Sequence, residues 1–152
     1  MSPLFKKLNF KDQPVVHVLN APASFMTEAQ LVASLASVKS SVEANEDVVF
    51  AIAFATKQRE VDDFAARVAP VLKGDAVFWI AYPKGTSKKY TCEFNRDTGW
   101  VALGGHGLEP VRQVAIDEDW SALRFRKVAY IKKITRNDGM ILSEEGKNKK
   151  KK

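Results

Sequence analysis

The sequence predicts an α/β domain, a three-layer sandwich with a mostly parallel central sheet and an antiparallel hairpin at its C-terminal end. Three observations lead there. Residues 48–55 and 76–82 are apolar at every position. A strand with one wet face would alternate, so both faces of each are covered, as in a parallel sheet. Between them Val61, Phe64, Ala65, Val68 and Leu72 recur at helical spacing with charged residues opposite, the stripe of a helix lying on a core. Strand, helix and strand in this order form a crossover that is right-handed in all but about 2% of cases. Lastly, residues 111–116 and the alternating Leu123-Arg124-Phe125-Arg126 read as two strands. The short Asp117-Glu118-Asp119-Trp120 between them suits a turn, so the pair is expected to run antiparallel.

The remaining elements follow from local signals. The β-branched run 14–19, ended by Asn20-Ala21-Pro22, reads as a buried strand. Thr27 and Gln30 have capping-box spacing ahead of Leu31, Val32 and Leu35, which predicts a short helix starting there. Residues 38–42 form a brief edge strand, followed by a polar linker over 43–47. Thr56 is the expected N-cap of the long helix, Pro70 its end and Gly74 its C-terminal cap. Asn95 or Asp97 caps a short helix through Trp100, Val101 and Leu103, which stops at Gly104-Gly105-His106-Gly107. Residues 1–135 form one domain, and 136–152 a flexible, lysine-rich tail.

Composition narrows the classes. The 152 residues suit one domain with an ample core, and 45% hydrophobic with 28% charged residues is globular usage. The net charge of +6 divides evenly. Lys147 and Lys149 to Lys152, set against Glu144 and Glu145, account for half of it, and the folded part lacks the concentrated charge of a nucleic-acid-binding domain. One cysteine, Cys92, excludes an intramolecular disulfide. The N-terminus has no apolar signal region, and the longest apolar run is far short of the ~18 residues of a membrane span. A cytoplasmic protein is expected.

Familiar catalytic motifs are absent. Lys84-Gly85-Thr86-Ser87-Lys88 lacks the first glycine of a phosphate loop, and the first strand ends in Asn20-Ala21-Pro22 where dinucleotide binders carry glycines. Neither His17, in an apolar strand, nor His106, in a glycine run, has a second ligand at metal spacing, so no metal and no cofactor are expected. His17 reads as a core histidine. Cys92 follows Lys88 and Lys89 closely, which would lower its pKa, but no orienting histidine and acid accompany it.

Position supplies what motifs do not. Ligands of open α/β sheets sit at the carboxyl ends of the strands. Those ends are Asn20 and Pro22, Thr56 and Lys57, and the loop from Pro83 to Lys88; the turn from Asp117 to Trp120 joins them if its strand is parallel. The loop after Tyr82 is rich in hydroxyls and carries three lysines, chemistry suited to an anion. The candidate ligand-binding residues are Asn20, Lys84, Thr86, Ser87, Lys88, Asp117 and Trp120. Trp120 reads as a lid over the core in preference to a wall of the cleft.

The segments 18–22, 79–88 and 117–126 together resemble an uncharacterised bacterial family of about this length, the tryptophan-centred segment being the most specific. The resemblance covers residues 5–135. It implies a fold and a bacterial origin, and no catalytic residue. The strand order also looks like a shortened methyltransferase-type, Rossmann-like sheet, in which Glu43 stands where such enzymes place a ribose-binding acid. The favoured function is a non-catalytic or regulatory domain that binds a small anionic ligand or a protein at the carboxyl end of the sheet. A small transferase using the same cleft is one alternative. The other is a nucleic-acid- or ribosome-associated protein, which requires a basic stripe through Arg124, Arg126, Lys132 and Lys133 to the tail.

Overall fold

Three strands buried on both faces over most of their length supply the centre of the molecule. The computed structural model describes residues 2–94 and 99–131. The proposed caps Asn95 and Asp97, Lys132 and Lys133, and the tail from 136 lie outside the described residues. The elements run α1 (Pro3–Lys7), β1 (Val15–Leu19), α2 (Ala23–Val32), β2 (Ser37–Lys39), β3 (Val48–Phe54), α3 (Gln58–Val68), β4 (Leu72–Pro83), α4 (Val101–Gly104), β5 (Leu108–Ala115) and β6 (Trp120–Lys127). Single 3₁₀ turns follow α3 and β6.

The six strands are ordered β2-β1-β3-β4-β6-β5. β2, β1, β3 and β4 are mutually parallel, and β6 is antiparallel to both β4 and β5. The expected hairpin is present, with its second strand inserted between β4 and β5. β5 therefore points the same way as β4, and its carboxyl end joins the others.

Alternation along the strands sorts two cores. Val16, Val18, Phe50, Ile52, Trp79 and Ala122 point to the side covered by α1 and α2. Ala51, Ala53, Phe78, Ile80, Leu123 and Phe125 point to the side covered by α3 and α4. A run apolar at every position is what a strand between two such layers requires. Leu123 and Phe125 are thus core residues, while Arg124 and Arg126 share the opposite face.

Several local expectations shift. The second helix begins at Ala23, directly after Pro22, so Thr27 lies inside it and caps nothing. Proline has no N–H to lose in a first turn, which makes the earlier start inexpensive. The long helix starts at Gln58 with Lys57, not Thr56, at the N-cap position. It ends at Val68, and Pro70 sits in the 3₁₀ turn. Gly74, with φ +58, is not a helix cap but part of the irregular start of β4, where the register against β3 jumps from Val48↔Leu72 to Phe50↔Val77. α1, which has too few residues to show a period, is anchored by Phe5 against Phe25 and Phe50 at 5.7 and 5.8 Å. The Trp79 indole N–H donates to the Leu8 carbonyl at 2.7 Å, closing the contact.

The β2 side is abbreviated. Residues 40–47 carry the chain from β2 across β1 to β3 without a helix. His17, wholly buried, meets this linker: Nδ1 is 3.1 Å from the Ser41 carbonyl oxygen, and Nε2 is 3.7 Å from Glu46 Oε2. It is a core histidine with one nitrogen hydrogen-bonded. Among the described residues no helix is long and apolar enough to cross a membrane.

Candidate functional site

β1 connects to α2 on one face of the sheet, and β3 connects to α3 on the other. Such a reversal leaves the two connections diverging, and a crevice opens between the strand ends. A crevice of about 310 Å³ lies at this reversal, beside the end of β1 and between the linker after β2 and α3. Its floor is Leu19 and Asn20; Ser40, Ser41 and Val42 of the linker form one wall, and Glu60, Phe64 and Arg67 of α3 the other. The abbreviated linker makes that wall, with exposed seryl side chains where a helix would have filled the space.

Asn20 adopts φ +58, a left-handed conformation that asparagine tolerates better than most residues. The turn points its amide across the crevice, where Nδ2 donates to the Phe54 carbonyl at 2.8 Å and to Glu60 Oε2 at 3.1 Å. Glu60 stands in the first turn of α3, where the helix dipole favours a negative charge. Its Oε1 accepts from the Thr56 and Lys57 N–H groups at 2.9 and 3.1 Å and from the Thr56 hydroxyl at 3.3 Å. Burial pushes the Glu60 carboxyl up, but the hydrogen bonds from Thr56, Lys57 and Asn20 outweigh it and hold the group below the ordinary carboxylate range. The crevice therefore offers a fixed carboxylate whose Oε2 has room for a second donor, beside seryl hydroxyls. That suits a ligand with vicinal hydroxyls better than an anion. Glu60 carries little signal in the sequence beyond its place: an acid in the first turn after a buried strand. Glu43 is exposed outside the crevice, its N–H donating to Glu46.

The loop after β4 makes a separate groove of about 590 Å³, with Tyr82, Tyr90 and Phe94 as walls and Lys84, Thr86 and Cys92 at its rim. The candidate residues divide among several places. Lys84, Thr86 and Ser87 line this groove. Lys88 lies with Thr86 and Lys89 in an adjoining depression that also holds Glu118 and Asp119, whose charges oppose its own. Ser87 is fully engaged: its hydroxyl donates to Asp119 Oδ1 at 2.8 Å and accepts from the Lys89 and Tyr90 N–H groups. Asp117 caps its own turn, accepting from the Asp119 and Trp120 N–H groups at 2.8 and 2.9 Å. Asn20 does not reach the groove, because β3 stands between β1 and β4.

Trp120 is buried, with its ring 5.2 Å from Phe54 and 4.9 Å from Tyr90, so it closes the α2-side core as a lid. Cys92 departs from expectation. Burial pushes its thiol up; a hydrogen bond with the Phe94 backbone lowers it, and the Glu93 charge raises it again. A thiol of that kind is a poor nucleophile. Among the described residues no three histidine, cysteine or acidic side chains are grouped to hold a metal ion.

No family model matches the chain, and no curated protein does. Solved structures share its fold. One is a SAM-dependent methyltransferase from Aquifex aeolicus, 13% identical with a TM-score of 0.57 over 81% of this chain and 87% of that one. Another is a possible exported protein from Bordetella parapertussis, 9% identical with a TM-score of 0.54 over 82% of this chain and 65% of that one. The class this defines is a Rossmann-like sheet of the methyltransferase type, mostly parallel, with its antiparallel strand next to the last position.

Proposed function

We propose that the protein is a small transferase-type domain whose crevice between β1 and β3 binds the nucleoside part of a sulfonium cofactor. The observation that carries this is the Asn20–Glu60 pair at the switch point of a methyltransferase-type sheet. A fixed carboxylate there suits ribose hydroxyls, which donate hydrogen bonds that an anion cannot. The fold likeness favours this reading over a non-catalytic one. The turn after β1 does not fit the cofactor's other end. Pro22 has no N–H, and Asn20 and Ala21 replace the glycines that would admit a close backbone approach, so the grip falls on the nucleoside.

The groove after β4 is the place for a second substrate. Lys84 beside the Thr86 hydroxyl favours an anionic group there, and the aromatic walls favour an apolar body.

Calorimetric titration with S-adenosylhomocysteine and with adenosine tests the proposal. Both ligands are expected to bind with similar affinity. Glu60→Gln is expected to weaken both about tenfold, the loss of roughly 1.4 kcal/mol that a charged hydrogen bond supplies. Asn20→Ala should act in the same direction. Absence of binding, or equal binding by Glu60→Gln, defeats the reading.

A further inference from the structure

Outside the carboxyl-end sites, one rung of the sheet carries an unusual neighbour pair. Arg124 of β6 stands directly opposite Arg112 of the edge strand β5, and opposite Trp79 of β4 on its other side. Both arginines lie on the α1 side of the sheet, the face they share with Val114 and Ala122. Like charges directly opposite across a strand pair repel, and nearby acids normally offset this. Asp75 is engaged elsewhere: its two oxygens take Arg126 at 2.8 and 2.6 Å. Glu109, near the start of β5, is buried and already partnered. Among the described residues no carboxylate pairs with Arg112 or Arg124.

Arg124 is half-buried. Nη1 reaches the neutral Asn9 side chain at 3.3 Å, and the buried Nε has no hydrogen-bond partner among the described residues. Burial lowers the Arg124 pKa; the Arg126 charge lowers it further, Asp75 raises it and Arg112 lowers it again. A buried donor left unmatched beside a second cation is a costly arrangement for a residue with no ligand.

We propose that Arg112 and Arg124 form a clamp for a phosphate-type oxyanion on the α1 face of the β5–β6 pair. Two planar guanidinium forks match several oxygens at once, which lysines in the same places would not do. The anion would offset the repulsion between the two arginines. The site is independent of the nucleoside crevice, because Arg124 pairs with Trp79, four residues before the carboxyl end of β4.

The test is calorimetric titration of the full chain with inorganic pyrophosphate and, separately, with a short single-stranded oligonucleotide. Pyrophosphate is expected to bind, and Arg112→Gln to weaken it at least tenfold; Arg112→Lys should recover only part of the loss. Glu60→Gln, and removal of the residues after Ser143, should change nothing. Arg112 is exposed on an edge strand, so its variants decide the matter even if Arg124→Gln fails to fold. Oligonucleotide binding lost in Arg112→Gln would make a nucleic-acid backbone the source of the phosphate. Pyrophosphate binding alone would make it a free phosphate compound. The proposal is overturned if pyrophosphate does not bind, if Arg112→Gln binds it equally, or if binding follows the tail lysines.

Discussion

The crevice between β1 and β3 and the groove after β4 lie at the same end of one sheet, yet their polar groups are engaged differently. In the groove loop Ser87 turns its hydroxyl and its lone pairs inward to Asp119, Lys89 and Tyr90, and the Lys84 N–H donates to the Asp119 carbonyl at 2.8 Å. Those bonds hold the loop against the β5–β6 turn. In the crevice the bonds converge on Glu60 Oε1, and Oε2 receives a single amide from Asn20. The groove loop looked more like a binding site by residue type, with hydroxyls, lysines and a glycine. The crevice is better prepared by geometry. A polar side chain signals a ligand when its bonding capacity is left over after the fold has been satisfied.

The largest expected effect concerns the frame the two regions share. Ile52 and Ile80 are both fully buried, Ile52 on the α1/α2 side and Ile80 on the α3/α4 side. Ile52→Asp and Ile80→Asp each place an unpaired carboxylate in a dry core, at a cost of several kcal/mol. Neither variant is expected to melt cooperatively. A cooperative transition in one of them alone would mean that its helical layer is dispensable, and that the site on that side has no rigid floor.

Ser87→Ala separates the two regions. It deletes one part-buried donor contact to a carboxylate and two acceptor contacts, so a loss of about 1–2 kcal/mol is expected, read as a melting temperature lower by several degrees. Affinity for adenosine in the crevice should not move. If the stability is unchanged, the loop is loosely held and its hydroxyls are available to a ligand after all.

Legibility in the sequence followed the density of signal. The unit from β3 to β4 is plain because residues 48–55 and 76–82 are apolar at every position and the helix between them has a regular stripe. α1 was invisible, since a helix of five residues shows no period and its anchoring depends on Phe25, Phe50 and Trp79 from distant elements. Thr27 had the right neighbours for a cap, but Pro22 had already started the helix. Gly74 needed the β4 register to be understood. For the site, chain position pointed to the carboxyl end of the sheet, where the crevice and the groove lie, and to Asn20, which lines the crevice. Glu60 and the seryl wall could not be read, because they matter only once a linker without a helix lies across β1. For Cys92, lysines close in sequence suggest a lowered pKa, but burial dominates and pushes the thiol up.

The smallest expected effect is the most specific to the crevice. The hydrogen bonds to Glu60 hold its carboxyl below the ordinary carboxylate range in the folded chain. A depressed carboxylate contributes stability that is fully present above its unfolded pKa and is lost as pH falls through the folded pKa. Wild-type stability should therefore decline from about pH 4.5 downward, as the hydrogen bonds from Thr56, Lys57 and Asn20 lose their charged acceptor. Glu46, held down first by its hydrogen bond with Lys39 and then by the Glu43 backbone, declines in the same range, so Glu60→Gln should flatten the curve only in part. Glu60 is partly exposed and solvent screens it, which keeps the change in stability small. Adenosine affinity is the sharper readout. It should fall across the same acidic window in wild type and in Glu46→Gln, and be flat in Glu60→Gln. An acid-sensitive affinity that persists in Glu60→Gln would assign the titrating group elsewhere and remove the main distinction between the crevice and the groove.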